Sequence, residues 1–174
     1  MRLNIIAVTA VIAVLSVKPS AAEESTRQLA EGGGWLAMAH STSAMASADL
    51  CAAFNMKSGI AFRYDFDSME LRVVDKSWTL PSDVAGSLKL SVGDLVETYL
   101  IKGNTDTTVS AELTEAQYLK LFDKMNKAAS MSISVGKAKP FAVSLTGSTR
   151  VMNAFRTCGS IKSDADGGGG NPFK

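Results

Sequence analysis

Histidine is almost missing from this sequence: His40 is the only one in 174 residues. A Ser–His–Asp apparatus would have to be built on it, and no Gly-x-Ser-x-Gly elbow supplies the nucleophile. Ser41, Ser43 and Ser47 stand near His40, but closeness in sequence is not catalytic geometry. The expectation is a loop histidine beside a small-residue linker. Cysteine is also scarce. Cys51 and Cys158 are the only two, and with one histidine they cannot supply the four ligands of a zinc site. An excess of one charge is lacking too, at 18 basic against 17 acidic side chains. Neither a nucleic acid nor an anionic membrane surface is implied as a partner. Beyond residue 17 no apolar run is long enough to span a membrane.

What is present begins at the amino terminus. Met1-Arg2-Leu3-Asn4 is followed by an apolar run over residues 5–17 and then by Ser20-Ala21-Ala22. This is the order of a secretory signal with small residues at the cleavage point. Cleavage after Ala22 removes Arg2 and Lys18, leaving 16 basic and 17 acidic residues, a net charge of −1. An exported chain with an even cysteine count favours a bridge, here Cys51 to Cys158, over two buried thiols. The separation is 107 residues. Closing such a loop stabilises a fold by about 4–5 kcal/mol in the chain-entropy model.

Period-two alternation then recurs along the chain. Ile60, Phe62, Tyr64 and Phe66 share a face, as do Met69, Leu71 and Val73, with Asp67-Ser68 as a tight hairpin between the runs. Leu88, Leu90 and Val92 alternate with Lys89 and Ser91. Residues 98–101 and 109–113 flank the turn-type cluster Gly103-Asn104-Thr105-Asp106. Met131, Ile133 and Val135, and then Phe141, Val143 and Leu145, complete the set, with weaker patterns over 35–39 and 51–56. Two helices interrupt the strands. Thr114-Glu115-Ala116-Gln117 is a capping box with Leu113 and Tyr118 placed as a staple. Tyr118, Leu121, Phe122 and Met125 follow as an apolar stripe on a helix expected to reach about residue 128. Ser148 is the expected N-cap of the second helix, which carries Val151, Met152, Phe155 and Cys158 and stops at Gly159.

These readings predict a signal peptide over 1–22, a flexible lead-in over 23–34, one β-rich domain over 35–162 and a disordered tail over 163–174. The fold class is α+β, mostly β: an antiparallel β-sandwich or partly closed barrel with two helices in the carboxy-terminal half.

Few residues suggest chemistry. Ser134-Val135-Gly136-Lys137 matches Ser-x-x-Lys, but on a strand the two side chains diverge, and the companion elements are absent. Asp65, Asp67 and Glu70 gather carboxylates without the spacing of a calcium loop, and Asp164 with Asp166 does so more weakly. Phe54, Phe62, Tyr64 and Phe66 could line a barrel cavity, although alternating strand aromatics are more commonly packed core. Met38, Met45, Met56 and Met69 read as core filling. Trp78, in Ser77-Trp78-Thr79-Leu80-Pro81, follows a strand; it either plugs the open end of the sheet or serves as an exposed interaction residue.

The closing segment Phe141-Ala-Val-Ser-Leu-Thr-Gly-Ser-Thr-Arg-Val-Met-Asn-Ala-Phe-Arg-Thr-Cys158 resembles the end of small exported α-proteobacterial proteins of the invasion-associated locus B family, a strand, a Gly-Ser turn and a short helix with a cysteine. Asp75-Lys-Ser-Trp78 before a strand is similar as well. The chain lacks that family's further cysteines. The resemblance implies an envelope location and a link to host association, and it transfers no catalytic or binding residue. The resulting expectation is an exported, non-enzymatic binding module of the periplasm or the secreted fraction. Its partner would be a protein or an envelope component, with no cofactor. The alternatives are a carrier of a small apolar ligand and an inhibitor or immunity protein against a hydrolase.

Overall fold

The computed structural model describes residues 24–42, 48–65 and 68–160. The expected signal segment and tail lie outside them, as do Ser43, Met45, Ser47, Phe66, Asp67, Asp164 and Asp166. Ten strands and two helices follow in chain order: β1 Ser25–Gly32, β2 Trp35–Ser41, β3 Leu50–Asn55, β4 Ile60–Asp65, β5 Ser68–Val74, β6 Ala85–Val92, β7 Leu95–Thr105, β8 Thr108–Leu113, α1 Glu115–Met125, β9 Ser130–Val135, β10 Phe141–Ser144 and α2 Ser148–Cys158. Every strand pairing is antiparallel, and the strands form one sheet in the order β1-β2-β3-β4-β5-β8-β7-β6-β9-β10. No ladder joins β10 to β1, so the sheet stays open, as a sandwich or partly open barrel.

The alternation read from the sequence sets the inner face. Leu71, Val73, Leu88, Leu90, Met131 and Ile133 are buried, together with Trp35, Ile60 and Phe62. Both helices close over this core. Tyr118, Leu121, Phe122 and Met125 of α1 are buried as the stripe requires. The capping box forms in both directions: Gln117 N–H donates to Thr114 Oγ1 (3.2 Å) and Thr114 N–H to Gln117 Oε1 (2.8 Å). The polar face of α1 is tied to strand β7 and the turn before it, by Lys120 to Glu97 (2.7 Å) and Lys124 to Asp94 (2.7 Å). α2 packs across β1, β2 and β3 through Val151, Met152 and Phe155. Cys158 at its end is bonded to Cys51 in β3, with the Cα atoms 6.0 Å apart. The core aromatics form a chain: Phe62 stacks on Trp35, Tyr118 meets Phe62 and Phe155 edge-on, and Phe122 stacks on Tyr118.

Helix α1 ends at Met125, short of the expected 128, and other expectations about the chain's turns and ends also need correction. Residues 25–32 of the expected lead-in are strand β1, paired along its length with β2. Gly32-Gly33-Gly34 is a tight turn rather than a loose one, with Gly33 at φ +60° and Gly34 at φ +87°. A Cβ on Gly33 would lie 1.8 Å from the Thr146 carbonyl oxygen, so glycine alone permits the contact that brings the two ends of the sheet together. The N-cap of α2 is Gly147, at φ +76°, and not Ser148, whose Oγ is buried with no partner among the described residues. β7 runs through Gly103, Asn104 and Thr105 with an irregularity in its pairing, which moves the turn on to Asp106 and Thr107. Gly103 is kept small by the Val84 side chain, whose Cγ1 would lie 2.7 Å from an added Cβ.

Candidate functional site

A cleft of about 930 Å³ opens between the β3–β4 turn, the end of β5 with the loop after it, and β10. The sequence builds each wall locally. Asn55 is buried, and its Oδ1 accepts from the backbone N–H groups of Lys57 (3.1 Å) and Ser58 (3.1 Å). That Asx-type turn pushes Met56 and Lys57 outward. Gly59, at φ +67°, passes so close to β5 that a Cβ would lie 2.1 Å from the Val74 carbonyl oxygen.

The second wall is set by Asp75-Lys76-Ser77-Trp78. Asp75 Oδ1 accepts from Ser77 N–H (2.9 Å) and Ser77 Oγ (2.7 Å), and Trp78 N–H donates to the Asp75 carbonyl (3.1 Å). The Ser77 hydroxyl, and after it the Ser77 amide, hold the Asp75 carboxyl below the usual carboxylate range. The turn fixes Trp78 half-buried against the core, with its ring at the cleft. The third wall is β10, from Phe141 to Ser144.

The cleft is lined by a group of apolar side chains and by two lysines. Met56 is 61% exposed and Val74 37%, two of the four large apolar side chains that stand out from the surface of the described residues. Trp78 and Phe141, each half-buried, complete the apolar surface. Lys57 and Lys76 line it without an acidic partner among the described residues, whereas the carboxylate of Asp75 is taken up by Ser77. Ser58 Oγ is buried in the wall with no hydrogen-bond partner among the described residues.

The other sequence-derived candidates do not join this site. His40 lies within strand β2 and not in a loop; its Nδ1 meets Thr26 Oγ1 (3.1 Å) and its Nε2 meets Glu24 (3.2 Å). Ser134 Oγ donates to the carbonyl of Ala138 (3.1 Å) in the turn that carries Lys137. Asp65 pairs with Arg63 (2.7 Å), and Glu70 with Arg72 (2.6 Å). Phe62 is core and Tyr64 half-buried, while Phe54, half-buried, falls on the opposite face, opposite Leu36 and Ala61. Met69 is core and Met38 half-buried; Met56 is the methionine the structure exposes, contrary to the core role expected of it. The Asn-Met-Lys-Ser-Gly context, a run of turn formers around one apolar residue, is the signal that marks it.

A second cleft of about 410 Å³ lies where β7 parts from β8, lined by Tyr99, Leu100, Ser110 and Gln117 among others. The Lys102–Glu112 ion pair ties the two strands across it. No family model, no curated protein and no solved structure matches the chain.

Proposed function

We propose that this protein is an exported, non-enzymatic binding module of the cell envelope, and that it engages its partner through the Trp78 cleft. The observation that carries this reading is the convergence of Met56, Val74, Trp78 and Phe141 on one open depression that Lys57 and Lys76 also line. Exposed apolar surface grouped in this way costs solubility, and it marks interaction sites more often than scattered apolar residues do. A half-buried indole on a rigid turn has the character of an interface anchor. The disulfide supports an oxidising compartment, periplasmic or secreted. The resemblance of the closing segment adds host association as the setting.

A photoreactive residue placed at position 56 tests the reading in envelope extracts. An adduct is expected at position 56 and not at the exposed turn residue Lys137, and Trp78→Ala is expected to abolish it. Equal adducts with and without Trp78→Ala would overturn the assignment of the cleft. The cleft volume also favours a second reading, a carrier of a small apolar ligand, because it falls within the range of ligand pockets. Solvent extraction of the purified protein followed by mass spectrometry checks that reading directly.

A further inference from the structure

Resting on the cleft as the binding site, we infer that its occupant is an extended peptide segment that adds as a strand to β10, with an apolar side chain in the cleft and acidic residues beside it. The backbone supplies the reason. β10 is the last strand of the sheet and pairs only with β9, Phe141 standing opposite Ile133 and Val143 opposite Met131. Continuing that register, Leu145 N–H donates to the carbonyl of Ala129 (2.9 Å). In an antiparallel ladder alternate residues exchange hydrogen bonds with a given neighbour. Residues 141, 143 and 145 therefore turn their backbone polar groups toward β9, and Ala142 and Ser144 turn theirs to the free edge. The Ser144 carbonyl confirms the direction, since it accepts from the Trp35 indole (2.8 Å) and not from β9. By this alternation the N–H and C=O of Ala142 and the N–H of Ser144 are left out of the β9 ladder.

This open stretch of backbone forms one wall of the same cleft that exposes Met56 and Val74. A peptide backbone is the chemistry that matches alternating donors and acceptors along a strand edge, and alternate side chains then reach the pockets beside it. Lys57 and Lys76, which have no acidic partner among the described residues, set the charge preference of the flanking positions. Pro140, just before the strand, removes a donor that would otherwise extend the edge, so the segment held is short.

A displayed library of short random peptides, selected on the full chain, tests the inference. The expected consensus is an extended sequence with a central apolar residue and flanking Asp or Glu, whose binding Val74→Asp abolishes. N-methylation of the selected peptide one position at a time is the deciding measurement. The position whose N–H meets the Ala142 carbonyl is expected to lose affinity on the order of tenfold or more, the worth of a lost backbone bond, with its immediate neighbours little changed, because the Ser144 carbonyl is already taken by the Trp35 indole. Ala142→Pro, which removes an edge donor and leaves the β9 ladder intact, is expected to weaken binding similarly. If Val74→Asp abolishes binding but no single N-methylation lowers affinity, strand addition is wrong and the cleft still binds. If Val74→Asp and Trp78→Ala both leave peptide binding unchanged, the cleft itself is not the site. Failure to select any peptide over the Val74→Asp variant overturns the inference.

Discussion

The indole nitrogen of Trp35 donates to the carbonyl oxygen of Ser144 over 2.8 Å, joining two strands 109 residues apart that share no ladder hydrogen bond. With the contact of Gly33 against Thr146, this bond holds the two ends of an open sheet in place. Trp35 is wholly buried. Trp35→Phe removes the donor and shrinks the core side chain, and is expected to cost about 2–4 kcal/mol. Urea denaturation checks this, with a lower midpoint and an unchanged slope expected.

The Cys51–Cys158 bridge closes a loop over a sequence separation of 107 residues. Replacing both cysteines with serine is expected to lower stability by about 2–5 kcal/mol. Thermal melts of the oxidised wild type, the reduced wild type and the double variant provide the check. The last two are expected to melt alike, both below the first.

Gly147 and Gly93 both have positive φ, +76° and +58°, but in different surroundings. A Cβ on Gly147 would lie 2.5 Å from the Gly32 carbonyl carbon, whereas at Gly93 nothing lies within 4 Å. Gly93→Ala is expected to cost about 1 kcal/mol for the backbone conformation alone. Gly147→Ala is expected to cost about 2 kcal/mol or more, because the junction between the ends of the sheet must open. Equal losses in the two variants would contradict the close approach.

Burial, and after it the charge of Glu97, push the Tyr99 phenol up to about 12. Burial raises Tyr118 as well, against a smaller opposing pull from Arg156. Both phenols keep their protons in the fold after the unfolded chain, near the ordinary tyrosine value of 10, has lost them. The unfolded state then binds fewer protons, so stability falls as pH rises. The contribution of Tyr99 is complete below about pH 10 and is lost as pH climbs to about 12. Denaturant midpoints measured across that window are expected to fall less steeply for Tyr99→Phe than for the wild type.

Much of this architecture is legible in the sequence because its strands bury one face and wet the other. Met69-Glu70-Leu71-Arg72-Val73 alternates in residue type and alternates in burial. The cap of α1 and the cysteine pair are equally direct, since each depends on a few residues at fixed spacing. β1 is not legible, because Ala30 is its one fully buried residue and the rest of Ser-Thr-Arg-Gln-Leu-Ala-Glu-Gly reads as polar chain. The glycine triplet carries no mark that separates a tight turn from a loose one; its constraint comes from Thr146, more than a hundred residues away. The cleft is hidden for the same reason. Trp78 can be singled out as an interaction residue, but Met56 and Phe141 become its neighbours only when three separate segments meet.

The order in which the chain is made meets the position of α2. A polypeptide emerging amino terminus first presents Cys51 long before Cys158, and Val151, Met152 and Phe155 are wholly buried in the fold. Strands β1 to β3 therefore wait, without α2 and with a solitary thiol, until α2 is delivered. Completion of the core and oxidation of the bridge both wait for α2 to emerge. Until then the nascent domain is a substrate for any holdase that shields bare strands, and for any oxidase that would trap the lone sulfur on another chain.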